Sequence, residues 1–275
     1  MTYDQGTVII GIDVGGTKIH GAAYGMAAPG SLPVVLCDRR VPTDLSRGFE
    51  SVLEQVIEMV EAFRVQTSQQ GSILSVGVGF PGLVDGKQGL FYGGGNVKVA
   101  SPVPAKKILE DTLHVPVAIE NDAGCFALAE YASMENKPTG TLIGLTVGTG
   151  LGSGLIINGS IYHGAMGFGA EIGATRFDEL HTYEEVTASK ADDATRGTNL
   201  GILVAGLLRT FNPAVITFGG GIVEKHWDTL ENEMVTVAKR LCPGPYWDGL
   251  QIRASHLEHP ATIGAALIGL NHLSP

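Results

Sequence analysis

Asp13 lies in a short glycine-rich segment, Ile10-Gly11-Ile12-Asp13-Val14-Gly15-Gly16-Thr17, that the chain contains twice. Ile143-Gly144-Leu145-Thr146-Val147-Gly148-Thr149-Gly150 aligns on it without a gap, at a constant offset of 133 positions. Each copy is an apolar run that enters a Gly/Thr turn and leaves through a second run, residues 18–24 in the first copy and 152–158 in the second. That is a strand, a tight turn and a strand, with glycines where the backbone takes positive φ or approaches a ligand closely. Two such turns facing each other hold a phosphate chain through backbone N–H groups and threonine hydroxyls. Only the first copy carries an acid, Asp13, where the second has Thr146. The chemistry implied is a duplicated nucleotide clamp with one carboxylate for a metal ion.

The elements that position these turns can be read from periodicity and turn signals. A strand is expected over 34–41, then a helix over 49–66 from the helical spacing of Phe49, Val52, Leu53, Val56, Ile57, Val60 and Phe63. A buried strand over 73–79 ends at the turn Phe80-Pro81-Gly82, and a Gly-rich loop over 86–95 leads to a helix over 105–113. A strand over 115–120 runs directly into Asn121-Asp122 and a helix over 123–133. The pattern then restarts, with strands over 141–147 and 153–157, a polar stretch, and a helix over 190–211 that Pro213 stops. A strand over 214–218 ends in Gly219-Gly220-Gly221, and helices over 223–240 and 262–272 flank a last strand over 251–254. The chain reads as a tandem of two α/β halves, each with a mixed sheet, and their cleft is the natural place for a ligand.

With 275 residues, 44% hydrophobic and 17% charged, the chain has the composition of a globular protein with room for two domains. A net charge of −10 argues against a nucleic-acid partner, which demands a basic surface, but leaves a nucleotide open because its phosphates are neutralised locally. Cys37, Cys125 and Cys242 are far apart and odd in number, as expected of reduced thiols in a cytoplasmic protein. The apolar run near the N-terminus, residues 8–12, is too short for a signal peptide or a membrane span, so no membrane association is expected.

Five segments, in order and at matching spacing, resemble the ROK family of bacterial sugar kinases and related repressors, within the superfamily of actin, sugar kinases and heat-shock ATPases. They are Ile10 to Lys18, Glu120-Asn121-Asp122-Ala123-Gly124, Leu145 to Gly154, Gly167 to Gly173 with its Glu171-Ile172-Gly173, and Phe218-Gly219-Gly220-Gly221-Ile222. The resemblance covers nearly the whole chain. It implies a duplicated ribonuclease H-like (actin-like ATPase) fold with two domains around a central cleft. The N-terminal domain would span 1–121, joined by the C-terminal helix at about 261–275, and the C-terminal domain 122–260.

The resemblance also assigns roles. Asp122 is the general base that takes the proton from a sugar hydroxyl as that oxygen attacks the terminal phosphorus, a contribution of ~10²- to 10⁴-fold. Its position equally suits the cap of the following helix. Asp13 holds Mg2+ through water. Gly15, Gly16, Thr17 and Lys18 lie along the phosphates of ATP from one side, with Gly148, Thr149 and Gly150 opposite. Gly219, Gly220 and Gly221 let adenine and ribose lie flat on the backbone, or form a plain strand-to-helix turn. Asn96, Asn121, Asp122, Glu171 and Glu185 supply hydrogen bonds to the sugar, since carboxylates and amides each engage adjacent hydroxyls.

The chain departs from the family in one region. Where many ROK proteins have a zinc-binding His after Glu-Ile-Gly, followed by a cysteine cluster, this chain has Ala174 and no cysteine over 175–187, so no structural zinc is expected. His181, in a segment that must pass near Glu185, is the candidate to replace the lost ring, an exposed loop histidine being the alternative. The family's Gly-Trp pair after Asn96 is replaced by Val97-Lys98-Val99-Ala100, with Lys98 expected to face solvent. The expected activity is an ATP- and Mg2+-dependent kinase for the 6-hydroxyl of a hexose, glucose first, in a cleft whose closure excludes water. Rival readings are an N-acetylmannosamine, fructose or polyphosphate-using kinase, a non-catalytic sugar sensor like the family's repressors, and a degenerate member without activity. Only nine residues precede Ile10, which leaves little room there for the repressors' helix-turn-helix. Family members are often dimers, which is the basis for expecting a homodimer.

Overall fold

The computed structural model describes residues 6–26, 31–95, 97–188 and 191–273. Its first sheet begins with an antiparallel meander of β1 (Thr7–Val14), β2 (Lys18–Gly25) and β3 (Val34–Pro42). Helix α1 (Phe49–Gln66) crosses to β4 (Ser72–Phe80), which pairs parallel to β1. A small hairpin, β5 (Leu83–Asp85) and β6 (Leu90–Gly93), and helix α2 (Ala105–Leu113) precede β7 (Val117–Asn121), parallel to β4. The order is β3-β2-β1-β4-β7. Helix α3 (Asp122–Ser133) follows β7 without a linker.

The second sheet repeats this plan. β8 (Thr141–Val147), β9 (Leu151–Ile157) and β10 (Ser160–Ile161) are antiparallel neighbours. After the short α4 (Tyr183–Thr187) and the long α5 (Asp193–Phe211), β11 (Val215–Gly219) pairs parallel to β8. Helix α6 (Val223–Leu241) leads to β12 (Gln251–Ala254), parallel to β11, and α7 (Pro260–Asn271) ends the fold. The order β10-β9-β8-β11-β12 matches the first sheet strand for strand in sequence and sense. The duplication visible in two turns therefore extends to whole sheets.

Strand alternation explains the layers. Ile10, Ile12 and Val14 on β1 pack with Val52, Val56 and Met59 of α1 in one buried core. Gly11 and Asp13, on the opposite face, point to the side where α7 lies. There the backbone approaches so closely that a Cβ on Gly11 would fall 1.9 Å from the Thr262 carbonyl oxygen, and one on Gly77 1.6 Å from that of Ala265. The second core joins Ile143, Leu145 and Val147 of β8 to Leu200, Val204 and Leu208 of α5 and Met234 and Ala238 of α6.

The chain divides into two compact units, one of residues 1–133, 163–169 and 258–275, the other of 134–162 and 170–257. The division expected after residue 121 thus falls at 133, because α3 packs on α7 and β4. The first unit also claims the 163–169 segment from the middle of the second. Two local expectations change as well. The Gly-rich stretch 86–95 is not all loop, since β6 lies in it. The helix expected from 190 begins at Asp193, capped by the Asp192 carboxylate, which accepts from the Thr195 N–H; residues 189 and 190 lie outside the described residues. Cys125 and Cys242 are buried and Cys37 half-buried, all as free thiols. No described helix is long and apolar enough to cross a membrane.

Candidate active site

In the first unit the chemistry collects at one end of the parallel strands. Asp13 closes β1, Gly79 pairs with it on β4, and Glu120 pairs with Gly79 on β7. The ends of parallel strands are where open α/β sheets bind ligands. Gly79 matters here because it contributes no side chain. A Cβ on it would stand 3.3 Å from both the Asp122 Cα and the Cys125 Sγ. The Cys125 thiol is pushed well above its ordinary range, first by burial and then by the negative fields of Glu120, Asp13 and Asp122. The fields of three carboxylates, from two strands and one helix, are therefore felt at one buried thiol.

Asp13 has no strong electrostatic relief. Burial pushes its pKa up to about 6, opposed only by the Lys18 ammonium. A desolvated carboxylate with one modest counter-charge is a fitting ligand for a hard cation. The turn after it is braced rather than loose. The Gly15 N–H donates to the Lys18 carbonyl at 2.9 Å, and the Thr43 hydroxyl donates to the Gly15 carbonyl at 2.7 Å. Gly16, Thr17 and Lys18 are exposed.

At Asn121-Asp122 the structure separates two roles that the sequence left together. Asn121 is the helix cap: its Oδ1 accepts from the N–H groups of Ala123 and Gly124 at 2.9 and 3.1 Å, and its Nδ2 donates to the Gly82 carbonyl. Asp122 is the first residue of α3, with Oδ1 accepting from the Ala123 N–H at 2.8 Å. Asn121 is thus largely committed to holding the turn, which fixes where Asp122 stands. Just before them, buried Glu120 accepts from the Asn121 N–H through Oε1 and from His163 Nε2 through Oε2. Sequence reasoning missed His163, and no local pattern could have shown a partner 43 residues away. Asn96 lies outside the described residues. Lys98 is exposed, as expected, beside the buried Val97.

In the second unit the turn after β8 differs from its counterpart. Val14 pairs with Ile19, leaving four residues in the first turn, whereas Val147 pairs with Leu151, leaving three. The ungapped correspondence therefore fails by one residue beyond the turn, and a one-residue slip reverses which side chains share a face. Nor do Gly15, Gly148 or Gly150 adopt positive φ. A Cβ on Gly150 would meet only the flexible end of Glu184, Oε1 at 2.4 Å, and a Cβ on Gly148 would meet nothing within 4 Å. Thr149, between them, is exposed.

The Glu171 pKa is raised, first by burial and then by the Glu184 charge. Glu185 is turned elsewhere. It completes a capping box with Thr182, accepting from that residue's N–H at 2.7 Å and from its hydroxyl. The pattern Thr-x-x-Glu was readable in the sequence as a cap signal. His181 is half-exposed and faces Asp178, Nδ1 to Oδ1 at 3.0 Å. At the strand-to-helix turn, Gly220 has φ of 93° and a Cβ would strike the Val147 carbonyl at 2.5 Å, so the turn itself demands it. A Cβ on Gly221, by contrast, would meet nothing within 4 Å.

A five-strand order made twice, with an acid at the end of the first central strand only, defines a duplicated ribonuclease H-like fold of the actin-like ATPase kind. Within that class the chain belongs to the ROK family, which it matches over residues 9–189. It is 35% identical over 163 residues to an N-acetyl-D-glucosamine kinase of Haemophilus influenzae. That stretch is 59% of this chain and 50% of the other, so the chain spans about half the length of that relative. A ROK hexokinase from Thermus thermophilus superposes with a TM-score of 0.79 at 25% identity, over 97% of this chain and 99% of that one. A ROK glucokinase from Streptomyces griseus, in complex with glucose and AMPPNP, has a TM-score of 0.78 at 22% identity, over 96% and 99%, a likeness of fold.

Proposed function

We propose that this chain is an ATP- and Mg2+-dependent sugar kinase that phosphorylates the 6-hydroxyl of a hexose. The observation that carries this reading is the convergence of Asp13 and Asp122 on either side of Gly79, both within electrostatic reach of Cys125. Phosphoryl transfer needs a base at the attacking oxygen and charge neutralisation at the phosphates, and two separate carboxylates suit those two tasks. Asp13 would hold Mg2+, which when bound offsets negative charge on the phosphate oxygens. Asp122 accepts the proton of the sugar hydroxyl, at an atom fixed by the Asn121 cap and the start of α3. The turns Gly15 to Lys18 and Gly148 to Gly150 are assigned to phosphate, Gly219 to Gly221 to the nucleoside, and Asn96, Asn121 and Glu171 to the sugar, with Glu184, which acts on Glu171, taking the part expected of Glu185, whose carboxylate is held in the capping box. Kinase relatives with sugar substrates in their names support the class of reaction.

Glucose is the first substrate in this reading. N-acetylglucosamine is the second, favoured by the 35% identity to the Haemophilus kinase. Sugar-dependent ADP release over glucose, mannose, fructose, N-acetylglucosamine and N-acetylmannosamine, with ATP and then polyphosphate as donor, decides among them. The highest kcat/KM is expected for glucose with ATP. If no sugar elicits ADP release, the kinase reading fails and a sugar sensor takes its place. Asp122→Asn is expected to lower kcat by ~10²-fold or more with sugar binding retained. Retention of more than about a tenth of kcat removes Asp122 as the base.

A further inference from the structure

On the α7 side of the first sheet, in residues that carry no role assigned above, three potential metal ligands converge. His20 on β2, Asp38 on β3 and His259, the residue before α7, each offer one ligand atom, and these atoms lie within 4.8 Å of one another. His20 pairs across the strands with Asp13 and Arg40, and Asp38 with Ala22, so all project on one face. His20 Nε2 and Asp38 Oδ2 are 3.2 Å apart. Two ligands about 2.0–2.1 Å from one tetrahedral ion stand about 3.3 Å from each other, so this pair already has the required bite. The His259 ring meets the His20 ring edge-on at 4.3 Å between centroids. Its backbone is held at φ 57°, ψ 51°, a left-handed conformation uncommon for histidine.

We propose that His20, Asp38 and His259 form a binding site for one borderline divalent transition-metal ion of the Zn2+ class, clamping β2, β3 and the start of α7 together. Two imidazoles and a carboxylate favour such an ion over Mg2+, which takes oxygen ligands. Burial pushes the His20 pKa down to about 4, and burial followed by the Arg40 charge lowers that of His259, the direction that favours the unprotonated ring a metal needs. A neutral ring has a lone pair to give, its proton residing on the other nitrogen. Arg40 is the competitor. Its Nη2 lies 2.8 Å from His259 Nε2 and 3.1 Å from Nδ1, occupying the side from which an ion would engage that ring. Being exposed, Arg40 can swing away, and His259 then needs to move by about 1.5 Å at most to reach tetrahedral spacing.

The experiment is a Zn2+ titration by calorimetry on tag-free protein in saturating Mg2+, with Co2+ absorption as a second readout of coordination. One ion per chain is expected. His259→Asn, chosen because asparagine tolerates the left-handed backbone, and Asp38→Asn, at an exposed position, should each weaken binding at least tenfold without unfolding the protein. Arg40→Met should tighten it several-fold, a result that a mere hydrogen-bond network would not give. Asp13→Asn should leave it within threefold. Unchanged Zn2+ affinity in His259→Asn and Asp38→Asn overturns the site, as does loss of binding in Asp13→Asn, which would assign the ion to the phosphate turn. Failure of the kinase reading would leave these outcomes untouched, since none depends on turnover.

Discussion

His163 Nε2 donates to Glu120 Oε2 at 2.5 Å, tying the 163–169 segment to the end of β7 immediately before the Asn121 cap and Asp122. The hydrogen bond from His163 is the largest influence raising that ring's pKa, reinforced by the charges of Glu120 and Asp85 against a desolvation cost. The partner oxygen of Glu120 receives the Asn121 N–H at 2.8 Å. The pair therefore sets the orientation of the strand end from which the proposed base projects.

Removing the ring tests that relationship. His163→Ala should lower kcat by about two- to tenfold, the worth of one hydrogen bond. Because the folded-state pKa is raised, the native state holds the proton longer than the unfolded chain. The stabilisation is fully present below the unfolded value of about 6.5 and is lost as pH rises through the raised folded value. Denaturant titrations at pH 6 and pH 9 should show the gap between wild type and His163→Ala shrinking at the higher pH. A gap that is constant with pH would mean the pair does not carry charge.

Asp13 offers a trade between stability and function. A carboxylate whose pKa rises from 3.8 to about 6 on folding is penalised in its charged form, by about 3 kcal/mol. The unfolded chain loses this proton first, so the penalty grows from pH 4 to 6 and is complete above about 6. Asp13→Asn should therefore raise metal-free stability at pH 7 by up to that amount while lowering kcat by about a hundredfold or more. In the wild type, the Mg2+ concentration for half-maximal rate should climb as pH falls below about 6. Equal stability of the two proteins in chelator would show that Asp13 is relieved by solvent.

Two halves with a mixed sheet each, and most helices, were legible in the sequence because each element rests on a local signal; the strand order was not. Helices α1 and α2 begin and end where apolar spacing places them, at Phe49–Gln66 and Ala105–Leu113. What escaped was of two kinds. Strands as short as Leu83–Asp85 and Leu90–Gly93 offer too few residues for a period to register. Contacts such as His163 to Glu120 join residues whose neighbourhoods say nothing of each other. The turns mislead for a third reason: runs alike in glycine and threonine close over four positions after Val14 but three after Val147. Glycine content records that a turn is tight without counting it.

Glu184 and Glu185 are adjacent, yet only one is free of the helix cap. Glu185→Gln should reduce thermal stability slightly, because its carboxylate completes the capping box with Thr182. Glu184 lies against Gly150 and acts on Glu171. Glu184→Gln should raise the hexose KM by about tenfold, the loss of a hydrogen bond to a charged group, and should lower the Glu171 pKa by removing a like charge. Steady-state kinetics on the two variants distinguishes them. A larger KM effect from Glu185→Gln would restore that residue to sugar recognition and place the capping box second.

Helix α7 reaches the first sheet only because its partners have no side chains. A methyl on Gly77 would lie 1.6 Å from the Ala265 oxygen, and one on Gly264 1.8 Å from the Cys125 oxygen; in both cases the obstacle is backbone, which has no rotamer to yield. Gly77→Ala should thus force α7 off the sheet and cost about 3 kcal/mol or more, beyond ordinary overpacking. Gly206 is the counterpart. It lies inside α5, is exposed, and a Cβ there meets nothing within 4 Å. Gly206→Ala should add about 0.8–1 kcal/mol through helix propensity alone. Opposite shifts in Tm for the same chemical change would tie the effect to α7 packing, whereas a gain from both would point to the unfolded chain, whose entropy alanine lowers. Since α7 covers the face that carries Asp13, Gly77→Ala should also lower kcat at temperatures where the protein remains folded, and Gly206→Ala should leave kcat unchanged.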